Sequence, residues 1–70
     1  MELPDLKSGV YKHKSGEYYL VVGYIRDHET GNVSVAYIPL YTKEGYTGPR
    51  MTYTSLRRWN ESFTYHGPGL

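Results

Sequence analysis

Apolar and polar positions alternate with a period of two through most of this chain, which is the spacing of half-buried strands. Gly9 opens Val10-Tyr11-Lys12-His13-Lys14, a first strand of this kind, and Ser15-Gly16 follows as a tight turn. Residues 17–26 form a second strand, with Tyr18, Tyr19, Leu20, Val21, Val22, Tyr24 and Ile25 apolar or aromatic on both faces. Such a strand belongs in the middle of a sheet. Gly23 interrupts it and predicts a bend or bulge. Asp27-His28-Glu29-Thr30-Gly31-Asn32 is a turn, with Thr30-Gly31-Asn32 supplying a left-handed position next to a bulge. A third strand runs from Val33 past Pro39 to Tyr41. Pro39 has no N–H to give a ladder, so a bulge or an edge is expected there.

The pattern loosens over residues 42–49, which hold two Gly, a Pro and mixed charge and read as a functional loop. Arg50-Met51-Thr52-Tyr53-Thr54 resumes as a strand. Ser55-Leu56-Arg57-Arg58-Trp59 starts a single helical turn with Thr54 or Ser55 as its cap. Residues 63–65 form a closing strand. The expected fold class is therefore all-β: a small SH3-like barrel of about five short strands, with one short helical turn near the C-terminus. Residues 1–8 read as a lead-in, 9–65 as the single domain and 66–70 as a tail.

Length and composition narrow the function. Seventy residues hold one domain, with a core too small for a deep, water-excluding cleft. The absence of cysteine removes disulfides and thiolate zinc sites. A net charge of +1 gives no strong pull toward duplex nucleic acid. The longest apolar run, residues 18–22, is too short to span a bilayer. Met1-Glu2-Leu3-Pro4-Asp5 has neither the basic start nor the apolar stretch of a signal peptide, so the cytoplasm is expected.

Nine tyrosines are the outlying number. They exceed what so small a core holds, so some rings should reach solvent, with Tyr19, Tyr46 and Tyr53 the foremost candidates and Trp59 assigned to the core. Basic residues interleave with aromatics in Tyr11-Lys12-His13-Lys14 and again in Arg50, Tyr53, Arg57, Arg58 and Trp59. Exposed rings beside cations stack bases and hold phosphates. Tyr, Trp and Arg are also the residues that dominate protein interfaces. The candidate ligand-binding set is Tyr11, Tyr19, His28, Tyr46, Arg50, Tyr53 and Arg57. The ordinary alternative for each is a core ring or a solvated cation. The expected role is non-enzymatic binding of a nucleotide or single-stranded nucleic acid, or of a protein partner, with a homo-oligomer as a further option. No membrane, cofactor or metal is expected, and no catalytic residue is assigned. A metal site from His13, His28, His66, Asp27 and Glu29 is disfavoured, because consecutive strand residues point to opposite faces. A small hydrolase using His28 and Glu29 as acid and base is the alternative.

Several segments together resemble the bacterial and phage family DUF1653, a domain of unknown function. Gly9-Val10-Tyr11-Lys12-His13 is similar to its Gly-x-Tyr-Arg-His. Lys14-Ser15-Gly16-Glu17-Tyr18 with Val22-Gly23 is similar to its Lys-Gly-x-x-Tyr strand. Glu29-Thr30-Gly31 is followed at family spacing by Tyr37 and Leu40-Tyr41. The resemblance covers roughly residues 6–60. It implies a compact SH3-like barrel and no particular activity, and its phage context leaves open a host-interaction factor. Thr54-Ser55 stands where the family has Arg-Pro, and Trp59 where it has Phe.

Overall fold

The computed structural model describes residues 3–41 and 51–70. Five strands and one helix follow in the order β1 (Val10–His13), β2 (Tyr18–Arg26), β3 (Val33–Pro39), β4 (Thr52–Ser55), α1 (Leu56–Ser62) and β5 (Phe63–Gly67). The strands form one antiparallel sheet in the order β4-β3-β2-β1-β5. β2 is central, as its two-sided apolar pattern requires. Among the described residues no ladder joins β4 to β5. The sheet is thus open where the sequence predicts a closed barrel, because α1 stands between these two strands and crosses one face instead. That helix is also longer than the single turn expected.

Local chemistry fixes the turns. The β1–β2 hairpin closes with Gly16 N–H donating to the His13 carbonyl at 2.8 Å, with Gly16 at φ +102°. The β2–β3 turn is held by Asp27: its carboxylate accepts from the N–H of Glu29 at 2.8 Å and of Thr30 at 3.1 Å, and Gly31 takes φ +77°. Gly23 sits at a register break, since Val21 pairs with Tyr37 while Gly23 pairs with the next residue back, Ala36. Val22 is the extra residue of that bulge. Pro39 pairs with Tyr19 at the end of β3, beyond the last β4 partner, where its missing N–H costs no ladder bond.

The helix joins its neighbours without intervening residues. Ser55 ends β4 and caps α1, its hydroxyl accepting from the Arg58 N–H at 3.2 Å. Phe63 closes the other end, its N–H donating to the Trp59 carbonyl, and begins β5. This geometry swings Trp59 onto the sheet, where it is buried at 3% exposure.

The core is built from Tyr11, Val35 and Trp59, with Leu6, Val21, Tyr24, Tyr37, Leu56, Phe63 and Tyr65 around them. Trp59 lies 4.7 Å from the Tyr11 ring and 5.5 Å from Tyr37. Residues 3–8 are more than a lead-in. Leu6 packs against the core, and this segment's carbonyls take the tyrosine hydroxyls: Tyr11 donates to Lys7 at 2.7 Å and Tyr24 to Pro4. Strand β5 continues to Gly67, two residues beyond the closing strand the sequence predicts.

Candidate functional site

The central ladders place two tyrosines of the candidate set inside the molecule. Tyr11 is 7% exposed and Tyr19 9% exposed. The expectation that Tyr19 presents its ring to solvent is therefore overturned. Its ring packs at 5.1 to 5.6 Å from those of Tyr37, Phe63 and Tyr41, and its hydroxyl hydrogen-bonds the Tyr41 hydroxyl at 3.1 Å. Burial, reinforced by that hydrogen bond, pushes the Tyr19 phenol well above its ordinary range. Burial raises Tyr11 and Tyr37 in the same direction. Tyr11 and Tyr19 are buried in the core, and Tyr37 packs half-buried against it.

Tyr53 has the opposite fate, at 66% exposure. It stands on the sheet face away from α1, beside a shallow depression of about 390 Å³ that Ile25, Arg26, Asp27, Asn32 and Ser34 complete. Tyr46 and Arg50 lie outside the described residues. His28 is exposed in the β2–β3 turn and lines none of the depressions described in this section. Its neighbour Asp27 is committed to the turn, where the N–H groups of Thr30 and Glu29 hold its carboxyl below the ordinary carboxylate range. The His28/Glu29 pair thus sits exposed in the turn. Among the described residues, no three His, Asp or Glu side chains gather as a metal ion would need.

One serine–histidine contact does form, which residue spacing gave no sign of. Ser15 Oγ lies 2.9 Å from His13 Nδ1, and the Ser15 N–H donates to the same nitrogen at 3.1 Å. Sharing Nδ1 with a backbone N–H ties the pair to the hairpin turn.

Arg57 enters the arrangement with the clearest chemistry. Lys14, Ser55, Arg57, Arg58, Glu61 and Ser62 line a polar cleft of about 470 Å³. Two connections assemble it. The Lys14 N–H donates to the Ser62 carbonyl at 2.9 Å, which anchors the end of β1 to the end of α1. The Ser55 cap fixes the first helical turn, from which Arg57 and Arg58 project. Arg57 Nε meets Glu61 Oε1 at 3.3 Å in an exposed ion pair, one helical turn apart. Three cations against one carboxylate leave the cleft with a net positive character suited to an anion. Lys14, Arg58 and Ser55 fall outside the sequence-based candidate set. Both basic stretches are visible in the sequence, but only the β1–β5 pairing brings them together.

Among the described residues no helix is long and apolar enough to cross a membrane. No family model and no curated protein matches the chain. A solved structure does: the crystal structure of a DUF1653 protein from Bordetella bronchiseptica is 37% identical, with 90% of each chain covered and a TM-score of 0.77. Together with the glycine and tyrosine segments above, identity at that level over nearly the whole length places this chain in the DUF1653 family.

Proposed function

We propose that this domain is a non-enzymatic binding module whose cation-lined cleft takes a phosphate-bearing ligand, either a nucleotide or single-stranded nucleic acid. The observation that carries this reading is the convergence of Lys14, Arg57 and Arg58 on one polar cleft. Arginine matches phosphate oxygens through paired N–H donors, and lysine adds a point charge. The residues lining the cleft include no aromatic ring. Contact would then run to phosphates and tolerate different bases. The small, near-neutral chain suits modest affinity in a cytoplasmic setting better than tight duplex binding.

The test is fluorescence anisotropy with a labelled single-stranded oligonucleotide, and in parallel with a labelled nucleoside triphosphate. Saturable binding of one of them is expected. For the oligonucleotide, log affinity should fall against log salt with a slope of about −2, as three phosphate contacts on a single strand require. The Arg57→Ala/Arg58→Ala variant should lose most of the binding, whereas His28→Ala should keep it. No saturable signal with either probe, or full binding by the double arginine variant, overturns the proposal.

A further inference from the structure

Among the described tyrosines, Tyr53 alone is exposed, with 66% of its surface open. Strand β4 is an edge of the sheet, and Tyr53 lies opposite Ala36, whose methyl is too short to cover a ring. No hydrogen bond, ring contact or cation contact holds the Tyr53 side chain among the described residues. The depression beside it takes its other walls from Ile25, Arg26, Asp27, Asn32 and Ser34. Arg26 and Asp27 carry opposite charges, so the depression is neutral in sum, while Asn32 and Ser34 bring donors and acceptors. An open ring, an apolar wall and neutral hydrogen-bonding groups suit a flat heteroaromatic base better than a phosphate.

Two relations join this depression to the cation-lined cleft. Ser34 of the depression and Ser55 of the cleft are paired across β3 and β4, which sets their backbones about 5 Å apart. Tyr53 and Ser55, two residues apart on one strand, project to the same face with about 7 Å between them. That is the reach of one sugar between its phosphate and its base. The two hollows also divide the chemistry of a nucleotide between them. The cleft sets Lys14, Arg57 and Arg58 against Glu61 and has no ring. The depression has the ring, and a carboxylate matches its single cation.

We propose that the Tyr53 depression is the base-binding half of one site, in which a base stacks on the Tyr53 ring while its phosphate lies in the cleft. The inference rests on the phosphate reading of that cleft and adds the group that holds the base. Every base has a π face, so stacking here adds affinity without choosing a sequence. A free nucleotide and a single strand share this chemistry.

Fluorescence anisotropy with a labelled thymidine oligonucleotide, and with an abasic strand of the same length and phosphate count, isolates the base. For a free nucleotide, a nucleoside triphosphate and inorganic triphosphate are compared as competitors of a labelled nucleoside triphosphate. The native chain should prefer the base-bearing member of at least one pair by about tenfold, and the pair in which it does so identifies the source. Tyr53→Phe keeps the ring and should keep that preference. Tyr53→Val keeps a strand-forming side chain without the ring, so it should retain the native circular dichroism spectrum and bind both members alike. The Arg57→Ala/Arg58→Ala variant should lose affinity for both members. Equal affinity within both pairs overturns the inference, as does a preference that Tyr53→Val retains. Equal binding that still depends on the two arginines overturns the base site alone and leaves the phosphate reading standing. Absence of saturable binding to every probe overturns both.

Discussion

The Trp59 ring stacks on Phe63 with centroids 4.2 Å apart and planes 17° from parallel, four residues along the chain and across the boundary between helix and strand. Phe63 closes α1 through its N–H and also opens β5, so one aromatic pair sets the angle at which the helix feeds the edge strand. Trp59→Ala should therefore cost about 3–5 kcal/mol. A 70-residue domain without disulfides has about that much stability in total, so the variant should be largely unfolded at 25 °C. Phe63→Leu keeps the bulk and should cost less. A double-mutant cycle between Trp59→Leu and Phe63→Leu should return a coupling of about 0.5–1.5 kcal/mol. The measurement is urea unfolding followed by far-ultraviolet circular dichroism, since the tryptophan signal is itself removed. Strict additivity would show that the stack does not tie the helix to the strand.

Gly9 and Gly23 separate two reasons for glycine. Gly9 has φ +135°, and a Cβ there would fall 2.5 Å from the Gly67 carbonyl oxygen and 3.2 Å from Pro68 Cα. Those are backbone atoms of the paired β5 strand and its exit, so relief means shifting the strand. Gly23 has φ +151° at the bulge, with open space where its Cβ would stand. Both substitutions carry the conformational strain, about 1–3 kcal/mol, and only Gly9→Ala adds a clash. Gly9→Ala should have the lower urea midpoint of the two. Equal midpoints would mean that the close approach of β1 to β5 is not what Gly9 serves.

These two glycines also show what was legible in the sequence and what was not. The turns and the bulge follow from local chemistry at Ser15-Gly16, Thr30-Gly31 and Gly23, and they form where that chemistry places them. The face to which each β2 residue points does not follow from alternation, because the extra residue Val22 flips the parity. Tyr19 and Val21 face the helix before the bulge, and Tyr24 faces it after. A strict period of two through residues 17–26 hides this flip, whereas the surface expectation for Tyr19 rests on the surplus of tyrosines, a count that does not say which rings the core takes. The candidate cleft was half legible for a different reason. Arg57 stands out in the sequence, but Lys14 lies 43 positions away and joins it only through the β1–β5 ladder and the Lys14–Ser62 bond.

Alkaline pH should unfold the domain. Tyr11, Tyr19 and Tyr37 all have phenols raised above the ordinary 10.0 by burial. A raised acid holds its proton in the folded state while the unfolded chain releases it. The stability linked to these groups is thus fully present below about pH 10 and declines above it, as the unfolded chain ionises and the folded one does not. Melting temperature should stay flat from pH 7 to about 9.5 and then drop. Phenolate absorbance at about 295 nm should rise cooperatively with unfolding for these rings. Tyr19→Phe removes one of the linked phenols and should soften the alkaline slope. An unchanged slope would remove Tyr19 from the set.

Glu61 makes opposite predictions for stability and for binding. Its ion pair with Arg57 joins side chains that are 60% and 87% exposed, and such a pair adds little, under about 0.5 kcal/mol, once solvent screening is counted. Glu61→Gln should therefore leave the melting temperature within about two degrees of the native value. In the cleft, however, the same carboxylate competes with an incoming phosphate for Arg57 and offsets one of the three cations. Its neutralisation should tighten binding of a labelled nucleoside triphosphate by about two- to fivefold at low salt. The gain should shrink as salt is added, since screening weakens the repulsion that Glu61 exerts. A phosphate ligand held at this cleft must feel the loss of that charge. Unchanged affinity in Glu61→Gln, alongside full binding by the native chain, would move the ligand to another part of the surface.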